Sequence, residues 1–211
     1  MDYQYMLDYD LELEKTQDAS LTSGLFGPLD CSFLRQIQNG LVPDCEPPYL
    51  NWYYGREFCV KRGMWAIVNT VWTAKLADWI GRRSALEIMA GRGWLAKALS
   101  LHGVDIVATD DYSWDDTHNM CRPVCSVDKM DAKTAVLAHA DREVLICSWP
   151  HGTQPFLDIA REWITDGGVV VYIGESPEGC CVDENWNLPL RKIEVGFPSW
   201  HYIYDRVYEV R

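Results

Sequence analysis

The feature that most restricts the fold of this chain is a regular alternation over residues 85–173. Five short apolar runs, Ala85 to Met89, Asp105 to Thr109, Val124 to Val127, Val144 to Cys147 and Val169 to Ile173, are separated by stretches of helical character. Apolar runs this short, bounded by turns, fit strands covered on both faces. The intervening Trp94 to Leu101, Asp131 to Ala140 and Gln154 to Thr165 read as helices, the first closed by His102 and Gly103 and the last by Gly167 and Gly168. Strand, helix and strand repeated in this way, with right-handed crossovers, predict an α/β fold on a doubly wound, mostly parallel sheet. The end of the chain breaks the alternation. Leu190 to Val195 and His201 to Val210 are joined through Gly196 and Pro198 with no helix between them, so a C-terminal antiparallel hairpin completes a seven-stranded sheet.

Upstream, Trp65, Val68, Trp72, Leu76 and Trp79 recur at helical spacing and predict a lead helix over about 57–80, ended by Gly81. A tryptophan stripe of this kind reads as core packing rather than a ligand cage. Residues 1–50 hold nine acids against Lys15 and Arg35 and break at Gly24, Gly27, Pro28, Pro43, Pro47 and Pro48. They predict an acidic, partly irregular arm with one short helix, Phe33 to Asn39, capped by Asp30. The expected organisation is therefore the arm over 1–50 and one domain over 51–211, its core within 85–211.

Charge narrows the partners. The chain of 211 residues has a net charge of -12, which repels phosphate backbones and excludes sequence-independent DNA coating. The acidic start lacks a signal-peptide pattern, and no apolar run has the length of a membrane span, so a soluble cytoplasmic protein is expected. Eight cysteines are too dilute for a secreted disulfide framework and read as reduced thiols. His118, Cys121 and Cys125, with Cys180 and Cys181 elsewhere, match no zinc spacing, so no metal site is expected.

The chemistry concentrates at the turn after the first run, Ala85-Leu-Glu-Ile-Met-Ala-Gly-Arg-Gly-Trp-Leu-Ala96. Gly91 and Gly93 let a ligand approach bare backbone at the start of a helix. Asp110 ends the second run, where a carboxylate at the carboxyl edge of an open sheet can accept both hydroxyls of a ribose, with Asp111 as the alternative. Two nucleoside cofactors fit such a turn. Gly91-Arg-Gly-Trp-Leu-Ala96 satisfies the G-x-G-x-x-A dinucleotide pattern, which meets a pyrophosphate. Glu87, inside the strand, repels pyrophosphate and suits instead the ammonium and sulfonium charges of S-adenosylmethionine.

With Glu87, Gly91 and Gly93 in this order, residues 80–211 resemble the class I, Rossmann-like S-adenosylmethionine-dependent methyltransferases, with Met89 standing where the first glycine of their motif is usual. The resemblance implies a ribose contact for Asp110 and an adenine amino contact for Asp131, for which Asp128 is the rival; Asp131 reads equally as a helix N-cap. It also places the acceptor side at Ile146-Cys-Ser-Trp-Pro-His151, a partial match to the family's fourth motif. Ser148, Trp149, Pro150 and His151 are therefore candidate acceptor-side residues, and His151 and Glu175 are the candidate bases. The expected activity is methyl transfer to a protein, a small molecule or an isolated base. The alternatives are a nicotinamide-dependent oxidoreductase using the same turn, and a non-catalytic adapter that keeps the fold while its arm binds a partner.

Overall fold

The computed structural model describes residues 56, 59–60, 63–113, 123–150, 153–176, 186–200 and 203–211. The acidic arm, with its expected helix over 33–39, lies outside the described residues. Residues 56, 59 and 60 are helical, and after them come, in chain order, α1 Thr70–Ile80, β1 Ala85–Ile88, α2 Trp94–Leu101, β2 Ile106–Asp110, β3 Asp128–Lys129, α3 Ala132–Ala138, β4 Val144–Ser148, α4 Thr153–Thr165, β5 Val169–Gly174, β6 Leu190–Lys192 and β7 Arg206–Val210.

The strands form one sheet in the order β3-β2-β1-β4-β5-β7-β6. The first five are parallel, with Ala85 opposite Ile106 and Val144, and Val144 opposite Val169. β7 enters antiparallel to β5, Val170 opposite Val210, and β6 pairs antiparallel on its outer edge. This is the expected doubly wound architecture with its C-terminal antiparallel pair. The order reverses between β1 and β4, and a crevice opens beyond the carboxyl ends of strands at such a point.

Side-chain alternation along the strands builds two cores. Ile146, Val171 and Ile173 face a cluster with Trp72, Leu76, Ile80, Leu95 and Leu99 from α1 and α2. Their neighbours Leu145, Val170 and Tyr172 face Phe156, Ile159 and Ala160 of α4 on the other side. In β1, Leu86 and Ile88 belong to the α4 side and Ala85 to the α1 and α2 side. By the same period of two, Glu87 points toward α1 and α2.

β6 and β7 are shorter than the expected runs 190–195 and 201–210, and two further elements differ from the sequence expectation. The lead helix is not continuous over 57–80: residues 56, 59 and 60 are helical, the chain is irregular over 63–69, and α1 starts afresh at Thr70, where the Asn69 side chain accepts hydrogen bonds from the Val71 and Trp72 N–H groups at 3.0 and 3.2 Å and caps it. Trp65 and Val68 consequently lie in an irregular segment before the helix, which Trp72 ties down through a bond from its ring N–H to the Ile67 carbonyl at 2.8 Å. The third strand is Asp128–Lys129 rather than Val124–Val127. Val124 N–H instead donates to the Arg92 carbonyl at 2.9 Å, and Cys125 and Val127 pack on Ala90, Ala96 and Ala108. The apolar run roofs the turn after β1, which satisfies its side chains without a ladder.

Candidate active site

A cavity of about 640 Å³ opens at the carboxyl ends of β1, β2 and β4. This volume is within the range of small-molecule sites. Of the site residues singled out from the sequence, Glu87, Met89, Gly91, Asp110, Asp111, Asp131, Ser148 and Trp149 line it, and Gly93 does not.

Glu87 is 2% exposed, and its Oε2 has no hydrogen-bond partner. Burial pushes its carboxyl up to about 8, a hydrogen bond from the Ala96 backbone pulls the other way, and the Asp110 charge adds to the rise. An acid of this kind accepts a cation readily, since ionisation against a positive partner relieves the cost of burial.

Asp110 is also buried, at 3% exposure. Its Oδ2 accepts from Gly91 N–H and its Oδ1 from Tyr112 N–H, both at 2.7 Å. It therefore organises the glycine turn, and because a carboxylate oxygen accepts more than one hydrogen bond, a ligand hydroxyl can join each of these. Asp111 is exposed and lines the same cavity, with Oδ1 accepting from Ser113 N–H at 2.8 Å.

Gly91 and Gly93 both have left-handed backbone, with φ of 58° and 76°. Gly93 leads directly into α2 and its space is closed as well: a Cβ there would lie 2.6 Å from Cys125 Sγ and 2.8 Å from Val127 Cγ2. Gly93→Ala is expected to destabilise the protein by about 1–3 kcal/mol, through the left-handed φ and overpacking together. A thermal melt of the variant checks this, and an unchanged midpoint would show that the roof over the turn yields freely.

Asp131 is the N-cap of α3, with Oδ1 accepting from Thr134 N–H at 3.0 Å and Oδ2 from the Thr134 hydroxyl at 2.6 Å. Those bonds hold its carboxyl below the ordinary range. Its rival Asp128 is exposed in β3 and does not line the cavity.

On the other side of β1, Ser148 ends β4, Trp149 follows it and both border the cavity, while Pro150 is buried and does not line it. Glu175 is 5% exposed and lies outside the lining, its Oε1 accepting from Tyr204 N–H at 3.1 Å. His151 lies outside the described residues, as do His118, Cys121, Cys180 and Cys181. Among the described residues no group of three or more His, Cys, Asp or Glu side chains is placed to hold a metal, and no helix is long and apolar enough to cross a membrane.

Met89, Tyr112 and Trp149 are the non-glycine residues with positive φ among those described, at 53°, 58° and 53°. They follow β1, β2 and β4 respectively. Left-handed backbone costs a side-chain-bearing residue about 1–2 kcal/mol, and here it is confined to the strand ends that frame the crevice. Met89 thus adopts the backbone that a glycine would take, with its Sδ 3.9 Å from Cys147 Sγ.

The segment Met64 to Val68 supplies a wall of the cavity that sequence patterning missed, because its apolar residues are absorbed into a helical stripe. Asn69 directly before Thr70 is an N-cap signal that separates the two.

The seven strands thus form a doubly wound α/β sheet, parallel except at its C-terminal pair. No family model and no curated protein matches the chain. Among solved structures, the chain is similar to magnesium protoporphyrin IX methyltransferase from Synechocystis PCC 6803 with bound SAM, at 11% identity over 94% of this chain and 96% of that one, with a TM-score of 0.43. A Streptococcus mutans protein described as a SAM-dependent methyltransferase aligns at 9% identity over 65% of this chain, with a TM-score of 0.43. The match spans 47% of that protein's own length. Thermoplasma acidophilum 1320 aligns at 16% identity over 86% of this chain and 96% of that one, with a TM-score of 0.37. At these identities and scores the matches transfer no activity to this chain.

Proposed function

We propose that this chain is an S-adenosylmethionine-dependent methyltransferase. The observation that carries the reading is the buried, unpartnered Glu87 oxygen at the cavity, in the strand that runs directly into the glycine turn. Glu87 receives the ammonium of the amino-acid portion. Gly91 leaves room for that portion over the turn, Gly93 shapes the turn through its left-handed backbone, and Asp110 takes the ribose hydroxyls alongside its bonds from Gly91 and Tyr112. Asp131 is our candidate for the adenine amino group, through the capacity that Thr134 does not use. When bound, the cofactor supplies an electrophilic methyl on a sulfonium sulfur. Ser148 and Trp149 hold the acceptor at near-attack distance, which by itself supplies much of the rate of a displacement.

The charge of the cavity disfavours the nicotinamide alternative. Among the described residues, Asp110, Asp111 and Asp131 line it against a single base, Lys133, and a pyrophosphate would meet net repulsion there.

Calorimetric titration with S-adenosylmethionine and NAD in parallel tests the reading. S-adenosylmethionine is expected to bind in the micromolar range, about -8 kcal/mol, and tighter binding of NAD would overturn it. Asp110→Ala is expected to weaken the cofactor about tenfold and to destabilise the free protein by about 1–3 kcal/mol, because it orphans the buried Gly91 N–H. Titration and melt of this variant separate the two losses.

A further inference from the structure

Trp149 is held from behind by Asp205, a residue with no signal in the sequence. The Trp149 ring N–H donates to Asp205 Oδ2 at 3.1 Å, and Asp205 is 1% exposed. The backbone around Asp205 is pinned from several directions. Its carbonyl accepts from the Ser199 hydroxyl at 2.8 Å and from the Arg206 guanidinium at 2.6 Å, while the preceding Tyr204 N–H donates to Glu175. Asp205 Oδ1 has no hydrogen-bond partner, whereas Oδ2 takes the indole N–H. Burial raises its carboxyl above the ordinary range, against the opposing effects of Ser199, Trp149 and Arg206. Trp149 also carries the Arg56 guanidinium 5.4 Å from its ring centroid. A half-buried tryptophan with left-handed backbone is thus fixed through its ring by the C-terminal strand region.

The sheet order separates two halves of the cavity. Asp110, Asp111 and Asp131 lie at the ends of β2 and β3 on one side of β1, and Ser148 and Trp149 at the end of β4 on the other. Trp149 packs against the apolar cluster that contains Met64 and Val68, both of which line the cavity as well. The half away from the adenosine-binding acids is therefore aromatic and aliphatic.

We propose that Asp205 is a positioning residue that locks the Trp149 indole as the wall of the acceptor half, and that this wall selects a small planar acceptor without negative charge. The proposal rests on the methyltransferase reading above. A planar ring gains from offset stacking on an indole, and the electron-rich indole face favours cations, as the Arg56 contact already illustrates. The carboxylates across β1 repel an anion placed in the same cavity. Without Asp205 the half-buried indole loses the acceptor of its N–H, and the ring is released from the geometry that this bond fixes.

The test uses the full chain saturated with S-adenosylhomocysteine, titrated calorimetrically with three probes: isoquinoline, planar and basic; naphthalene-2-carboxylate, planar and anionic; and cyclohexylamine, cationic but not planar. Isoquinoline is expected to bind at least tenfold tighter than the other two. Trp149→Ala and Asp205→Ala should each weaken isoquinoline at least tenfold, with S-adenosylhomocysteine affinity within a few fold of the parent. Asp205→Asn, which keeps an oxygen to accept the ring N–H, should restore isoquinoline binding to within about threefold. In a Trp149→Phe background, which has no ring N–H, Asp205→Ala should produce no further loss. A merely structural Asp205 predicts lowered melting with isoquinoline affinity unchanged in the folded fraction, and that result overturns the positioning role. Equal or tighter binding of the naphthoate overturns the acceptor class. Failure of the parent to bind S-adenosylhomocysteine overturns the methyltransferase reading and the proposal with it, whereas binding of S-adenosylhomocysteine without isoquinoline overturns the proposal alone.

Discussion

Replacing Glu87 by glutamine is expected to weaken S-adenosylmethionine binding about a hundredfold at pH 8, since removing one partner of a desolvated charge pair costs on the order of 3 kcal/mol. The same substitution should flatten the pH dependence of binding. In the free protein burial holds the Glu87 carboxyl up to about 8, so below that pH the group is largely protonated. Pairing with an ammonium requires the ionised form, so binding releases a proton and affinity rises with pH, by at most tenfold per unit, until about pH 8. The stability of the free protein runs the other way. The unfolded chain ionises this carboxyl near 4.5 and the folded chain near 8, so the folded state holds more protons between those values and loses stability as pH rises through them. The Glu87→Gln substitution removes both slopes. Titrations and melts at pH 5, 6, 7 and 8, in parent and variant, measure them, and a parent affinity independent of pH would exclude Glu87 as the ammonium partner.

The largest loss of stability is expected for Trp72→Ala, about 3–5 kcal/mol, the usual cost of truncating a buried large aromatic. Trp72 is fully buried, its ring edge meets Phe197 at 4.8 Å between centroids, and its N–H is the tie to the Ile67 carbonyl. In a chain of this size each kcal/mol lowers the melting temperature by roughly 2–4 °C, so a fall of about 10 °C is expected. The damage should extend to the site, because the segment that Trp72 anchors supplies Met64, Trp65 and Val68 to the cavity. A variant that melts far lower yet binds S-adenosylhomocysteine with parental affinity would show that this wall contributes nothing to the cofactor half. Trp79→Ala is the comparison, since that ring is half-buried and lies under Arg83 at 4.7 Å.

What was legible in the sequence is what local chemistry enforces. Trp94–Leu101 is a helix with the expected ends, because a left-handed glycine precedes it and His102 and Gly103 close it. The strands β1, β2, β4 and β5 agree with the apolar runs to within a residue or two, since a strand buried on both faces tolerates few polar side chains. The exception inside such a strand, Glu87, was visible for the same reason: a carboxylate there demands a partner. The antiparallel ending followed from two strand-like runs with no helix between them to carry a parallel crossover.

Tertiary structure decided the rest, wherever an apolar residue has more than one surface to bury against. Val124–Val127 reads as a strand by composition, yet packs over the Gly91–Gly93 turn because the edge beside β2 is satisfied by Asp128 and Lys129. Trp65 and Trp72 share a helical spacing, but the cap at Asn69 assigns them to different elements. Asp131 carried two readings that spacing does not separate, and only the folded chain shows its carboxylate committed to Thr134 while it borders the cavity. Asp205 had no signal at all. It stands 56 residues from Trp149 in sequence, and their hydrogen bond exists because β7 inserts between β5 and β6 and carries the residue before it to the end of β4's neighbour. Sequence patterns report which face of an element is buried, whereas partners brought together by strand order become visible only once the sheet is assembled.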